Sequence, residues 1–196
     1  KIVKITKKKK QNYLATYSLV RTMRAGILVL GALVAKHQKS ITSLPGGCLI
    51  GARPVNYHLN ALKKLGMKYD IKKGYIHAKT KGKLKGAKIR FSKISVGATE
   101  NTIIAACLAN GITILRNCAI EPEIIDLINF LKSGGAKIKF IGKRTLKIEG
   151  IKSLESTSYS VMSDRIETGT FCVAACLTGG NLKIKNFDPK IIKTEL

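Results

Sequence analysis

Leu19, Met23, Ile27, Leu30 and Val34 recur at helical spacing and predict a helix over residues 19–36. Ile166, Thr170, Val173 and Leu177 do the same over 166–178. Between them the pattern predicts helices over 54–65, 100–109 and 122–133. The first and last of these three open at Pro54 and Pro122, where a missing N–H costs nothing because the first helical turn leaves it unpaired anyway. The first, third and fifth helices are Ala-rich and expected to be the most buried. Short runs of β-type residues punctuate the helices: "ITSL", "ITIL" and "LKIK" after the Ala-rich ones, then "AKIKF" and "RTLKIEG" further on. Strand and helix in alternation predict a layered α/β fold.

The pattern also repeats at long range. "ENTIIAACLANGITILRN" (100–117) and "GTFCVAACLTGGNLKIKN" (169–186) share Ala-Ala-Cys-Leu, Gly111 with Gly180, and Asn117 with Asn186, at an offset of 69 residues. "ALKKLGMKY" (61–69) and "FLKSGGAKI" (130–138) keep that offset. "RAGILVLGALVAKHQKSITSL" (24–44) has the same helix-then-strand outline, a few residues out of step. About two and a half copies of one unit follow, each with a second helix beginning near a proline (Pro54, Pro122, Pro189) and closing strands. The third copy stops soon after Pro189, so the chain is expected to be part of a longer protein.

Composition narrows the class. With 45% hydrophobic and 24% charged residues over 196 positions, the chain is globular rather than disordered. Its longest apolar stretch, 25–35, is well short of the roughly 18 residues that span a bilayer, and no signal peptide is visible at Lys1. The net charge of +25 suggests an anionic partner. Yet the lysines are scattered, tryptophan is absent, and no helix carries an arginine stripe, so nucleic acid is not the expected partner. The run Lys7 to Lys10 reads as a solvated loop. Cys48, Cys107, Cys118, Cys172 and Cys176 are odd in number and show no zinc spacing, which suggests free thiols in a reducing cytoplasm. Cys107, Cys172 and Cys176 fall on Ala-rich helix faces and read as core.

One segment carries chemistry. In "SLPGGCLIGARPV" (43–55) two glycines precede Cys48 and Gly51 follows it. Pro54 opens a helix whose amides favour an anion, Arg53 places a guanidinium fork at that mouth, and Arg24 on the preceding helix could converge. A thiol near cations and a helix N-terminus gains thiolate character. Residues 45–52 are expected to be exposed and mobile, with Cys48 the most accessible thiol: a lid holding an acid over an anionic substrate. The plain alternative is that the glycines make a turn and Cys48 is incidental. Elsewhere, Asp164 and Glu167 read as a capping box, Glu121 and Glu123 as first-turn acids, and His58 as surface or packing.

"LPGGCLIGARPVNYH", "KISVGATEN", "EPEIIDLINFL" and "SDRIETGTF" together resemble the UDP-N-acetylglucosamine enolpyruvyl transferase (1-carboxyvinyltransferase) family, from about Tyr17 onward. The resemblance implies an inside-out α/β barrel of repeated βαβαββ units, three in each of two domains, with the site in the cleft between them. Residues 1–160 would form most of one domain and 161–196 the start of the second. It implies transfer of the enolpyruvyl group of phosphoenolpyruvate to the 3-hydroxyl of UDP-N-acetylglucosamine with release of phosphate, the first committed step of peptidoglycan synthesis, in the bacterial cytoplasm. The implied partners are these two substrates and the second domain of the same protein. No metal, organic cofactor or membrane is implied.

Cys48 takes the place of the family's general acid at the phosphoenolpyruvate carbon, the residue alkylated by fosfomycin. Arg53 matches the arginine on the phosphate side of phosphoenolpyruvate, and Arg24 another arginine of the cleft. Arg53, Pro54, Val55, Asn56 and Tyr57, with Lys93, Ile94, Ser95 and Val96, match segments that bind the UDP-sugar, the lysine placed for the diphosphate. Asp164 and Arg165 lie where the family has its domain crossover, beside the cleft. Asn56 departs from the aspartate of many members. The family's N-terminal Lys-Asn pair and the aspartate and arginine of the other domain are not in this sequence, so these residues alone are expected to be inactive. The competing class is a non-catalytic basic module, binding anions or nucleic acid, that kept the fold.

Overall fold

The computed structural model describes residues 2–6, 12–46 and 54–192. Two copies of one βαβαββ unit account for most of them. The first comprises β1 (Leu14–Ala15), α1 (Tyr17–Val20), a 3-10 turn (Arg24–Ile27) running into α2 (Leu28–His37), β2 (Lys39–Ser43), α3 (Asn56–Lys64), β3 (Lys68–Lys72) and β4 (Tyr75–Lys79). The second comprises β5 (Lys88–Arg90), α4 (Val96–Ala106), β6 (Ile112–Arg116), α5 (Pro122–Ser133), β7 (Lys137–Gly142) and β8 (Thr145–Glu149). The sheets have the same topology, β1-β2-β4-β3 and β5-β6-β8-β7. In each, the first pair is parallel and the other two antiparallel. The 69-residue offset between 61–69 and 130–138 is therefore a repeat of structure.

Local chemistry explains the elements. Lys73 and Gly74 both have positive φ (48° and 75°), which matches the right-handed twist of the β3–β4 hairpin they close. The β7–β8 hairpin carries an irregularity between Phe140 and Gly142, one residue more than its counterpart. β4 buries Ile76 and Ala78 and β8 buries Leu146 and Ile148, while their alternate residues are less buried and β3 is exposed throughout. Each sheet thus lays one face on the helices, and one continuous core runs from Ile27 and Leu30 through Ile103 to Leu146 and Ile148. Helices inside and sheets outside is the inside-out arrangement expected. α4 is buried on nearly every side because its sequence, "VGATENTIIAA", is mostly small residues that let α2, α3 and α5 approach.

Four expectations need correction. The helix expected over 19–36 is interrupted: Met23 is extended (φ −142°), and Leu19 and Met23 are exposed, so the buried stripe begins at Ile27. Gly26 allows the bend by packing against Val20, whose side chain and carbonyl crowd the space a Cβ would need. Second, the fifth helix, α6 (Arg165–Thr178), is not buried; Ile166, Phe171, Val173 and Leu177 are exposed. Its main packing partner among the described residues is the short 3-10 turn Pro189–Ile192, too small to cover an apolar face. Cys176 is consequently exposed and Cys172 half-buried, whereas Cys107 and Cys118 are core. Finally, "LKIK" forms no strand, because no other strand of the described residues pairs with it. The repeat still shows there: Asn117 and Asn186 share a left-handed backbone, φ 57° and 56°.

Candidate functional site

Cys48 and Arg53, and with them most of the segment 45–52, lie outside the described residues. What the structure places is the ground on either side. Pro54 and Asn56 are exposed, and Val55 and Tyr57 are half-buried against the core at the start of α3. Val55 is the N-cap of α3 and offers no side-chain acceptor, and the first turn holds no acid. α4 begins in the same region. Its N-cap, Ser95, accepts from the Ala98 N–H at 3.3 Å, and its carbonyl accepts the Thr99 hydroxyl at 2.8 Å. Helix geometry leaves the Val96 and Gly97 amides without an intrahelical acceptor, and α4 too has no acid in its first turn. Two positive helix ends without neutralising carboxylates favour an anion. Lys93 and Ile94, just before Ser95, are exposed.

The two helix ends touch through His58. A Cβ built on Gly97 would lie 3.2 Å from its Cε1, so only glycine lets the rings and turns meet without adjustment. His58 is 5% exposed and its pKa is lowered to about 4, first by burial and then by the Arg24 guanidinium. It is therefore neutral at physiological pH. Arg24, half-buried in the 3-10 turn ahead of α2, is close enough to act on it. Arg24 and the first turns of α3 and α4 thus meet around His58.

The polar centre of that neighbourhood is Asn101, fully buried in α4. Its Oδ1 accepts from the Gly31 N–H at 2.9 Å. Its Nδ2 donates to the Ile27 carbonyl at 3.2 Å and reaches His58 Nδ1 at 3.1 Å. Gly31 has to be glycine here, since a Cβ would overlap the Asn101 side-chain oxygen. Asn101 closes the "KISVGATEN" motif and His58 the "LPGGCLIGARPVNYH" motif, but neither motif reveals that they meet. The available signal is the phase of Asn101, which falls on the same helix face as Ala98 and Ala105 and so points a carboxamide inward.

Asp164 and Arg165 are engaged otherwise. Asp164 caps α6, accepting from the Ile166 and Glu167 amides at 2.8 and 3.0 Å. It also lines a concavity of about 350 Å³ with Ser163, Thr168, Phe171 and Phe187. Arg165 Nε donates to Glu123 Oε1 at 2.7 Å. Glu100 has its carboxyl pKa raised, by burial first and by Glu123 second. A larger concavity, about 600 Å³, sits on the outer face of the first sheet between Lys39, Lys68, Lys72 and Lys79, away from these residues. No helix among the described residues is long and apolar enough to cross a membrane.

Repeated βαβαββ units with helices inside define an enolpyruvyl-transferase-like fold, in which two helix N-termini lie beside an arginine. The sequence matches the EPSP synthase (3-phosphoshikimate 1-carboxyvinyltransferase) family over residues 1–195, and the chain belongs to that family. Within it, the chain is 62% identical over 195 residues to the UDP-N-acetylglucosamine 1-carboxyvinyltransferase of Pelagibacter ubique (strain HTCC1062), covering 100% of this chain and 46% of that protein. It is 53% identical over 182 residues to the protein of the same name from Pseudoalteromonas atlantica (strain T6c / ATCC BAA-1087), covering 93% and 43%. The chain thus spans less than half the length of these relatives. Among solved structures it shares its fold with the enolpyruvyl transferase NikO from Streptomyces tendae (TM-score 0.62, 23% identity, 76% of this chain and 36% of that one). The EPSP synthase of Acinetobacter baumannii is similarly related (TM-score 0.60, 18% identity, 77% and 34%).

Proposed function

We propose that these residues are the central part of an enzyme that transfers the enolpyruvyl group of phosphoenolpyruvate to the 3-hydroxyl of UDP-N-acetylglucosamine and releases phosphate. The observation that carries this reading is the 62% identity, along the whole chain, to a relative named for that reaction. The matched span includes the Gly-Gly-Cys and Gly-Ala-Arg-Pro-Val segment and the Lys-Ile-Ser-Val segment. In this reading residues 1–160 belong to one domain, 161–196 begin a second, and the site is completed by parts of the protein beyond these residues. The enzyme works in the bacterial cytoplasm on the path to peptidoglycan.

The roles follow from chemistry. The N-terminal ends of α3 and α4, with Lys93, bind the diphosphate of the UDP-sugar through amides and charge. Arg24 and Arg53 hold the anionic phosphoenolpyruvate. Cys48 delivers a proton to C3 of phosphoenolpyruvate while the sugar hydroxyl oxygen bonds to C2 and gives its proton to a base from the part of the protein beyond these residues. Loss of phosphate from C2 and of a proton from C3 then restores the double bond. Cys48 is also the group that fosfomycin alkylates. The test is phosphate release by the full-length protein with both substrates. Activity that needs both, and that Cys48→Ser strongly impairs, supports the assignment; release without the UDP-sugar contradicts it.

A further inference from the structure

The Asn101 carboxamide has one possible orientation. The Gly31 N–H can only donate, so the atom 2.9 Å away must be the oxygen. The nitrogen then faces the Ile27 carbonyl, which can only accept, and His58 Nδ1 at 3.1 Å. Its two hydrogens are both used, so Nδ1 accepts and carries no proton. A neutral imidazole with a bare Nδ1 has its proton on Nε2. Among the described residues the hydrogen bond of the ring is the one at Nδ1. Nε2 is 3.5 Å from where a Cβ on Gly97 would sit, at the open first turn of α4. The same carboxamide grips both sides of the junction between the 3-10 turn bearing Arg24 and α2.

We propose that Asn101 is a positioning residue for the anion site: it fixes His58 as a neutral donor through Nε2–H, directed at the first turn of α4, and holds the Arg24 turn in register with that helix. This deepens the proposed function and rests on it for the identity of the anion, the UDP-sugar diphosphate or the phosphoenolpyruvate. Of the charged groups on the elements packed around His58, Arg24 is the one that acts on the ring; Glu100, one residue before Asn101, instead interacts with Glu123 of α5. Arg24 and burial both disfavour a second proton on the ring, so the donor stays neutral and the site does not switch with pH in the neutral range.

Asn101→Asp separates this role from simple packing. The aspartate keeps an oxygen for the Gly31 N–H but presents an acceptor to Nδ1, which then takes the proton and raises the His58 pKa. Below that raised pKa the imidazolium still donates from Nε2; above it Nε2 becomes an acceptor. In the full-length protein, kcat/KM of Asn101→Asp should fall by about tenfold or more relative to the wild type as pH rises through the new pKa. His58→Gln, whose amide N–H stands in for Nε2–H, should retain activity that His58→Asn loses. The tautomer is read directly, without any variant, from the imidazole ¹⁵N shifts of the full-length wild-type protein. Nε2–H and no protonation in the neutral range are expected. A ring protonated at Nδ1, or equal pH profiles for wild type and a folded Asn101→Asp, overturns the proposal. If the Nε2–H tautomer is found but the wild type has no transferase activity, the enzymatic reading fails while the hydrogen-bond assignment stands.

Discussion

Arg165 and Glu123 meet at 2.7 Å and join the first turn of α6 to the first turn of α5. The arginine side chain is 15% exposed, so this contact lies largely out of solvent. α6 has little else among the described residues to hold it, since its apolar residues face outward. Glu123→Gln should therefore speed hydrogen exchange of the α6 amides and leave those of α2 unchanged. A cost of about 1–2 kcal/mol is expected for weakening a charged hydrogen bond of this kind. Unaltered exchange in α6 would show that other contacts fix the helix.

Glu123 has a second neighbour in Glu100, whose carboxyl pKa is raised by burial and then by the Glu123 charge. A carboxyl raised in the folded state stabilises it while protonated. That contribution is full below the unfolded value near 4.5 and is lost as pH rises through the folded value. Glu100→Gln should accordingly raise the melting temperature at neutral pH and make no difference under acid conditions. A variant less stable than wild type at neutral pH would mean that the ionised carboxylate has a favourable role.

His58 has the opposite sign. Its folded pKa, about 4, lies below its ordinary value of 6.5, so burying the neutral ring contributes fully above 6.5 and the contribution disappears as pH falls towards 4. The shift corresponds to a loss of the order of 3 kcal/mol over that window. Urea unfolding at a series of pH values should show this acid sensitivity in the wild type and a flatter profile in His58→Gln. Equal slopes would place the titrating group elsewhere.

Much of this was legible in the sequence, and the physical reasons for the rest are specific. The 69-residue offset between "ALKKLGMKY" and "FLKSGGAKI" anticipates two units of equal topology, because Leu62 and Leu131 are core and Gly66 and Gly135 make left-handed turns at the same place in both. Apolar spacing alone could not reveal that Met23 interrupts a helix, since Leu19, Met23 and Ile27 keep helical period whether or not the backbone does. The same spacing made α6 look buried; periodicity marks an apolar face but not whether something covers it. The contact between Asn101 and His58 is not legible in the sequence, because each reads as an ordinary polar residue until tertiary contacts bring them to 3.1 Å.

Close packing of α2 on α4 leads to a prediction at Gly31. A methyl group there would overlap the Asn101 side-chain oxygen and crowd its carbonyl. Gly31→Ala should destabilise the protein by about 1–3 kcal/mol through overpacking, despite the better helix propensity of alanine. Denaturant unfolding measures this directly; a neutral or stabilising effect would mean that the two helices can separate without loss.

The central claim is that the site on these residues serves enolpyruvyl transfer and is completed by the rest of a longer protein. Enclosure between domains excludes water and positions the reacting groups, which half a cleft cannot do. The most direct measurement is phosphate release from phosphoenolpyruvate in the presence of UDP-N-acetylglucosamine, made in parallel on the 196-residue chain, the full-length protein and its Cys48→Ala variant. The account predicts turnover by the full-length protein alone. Robust turnover by the 196 residues, or full activity of Cys48→Ala, would contradict it.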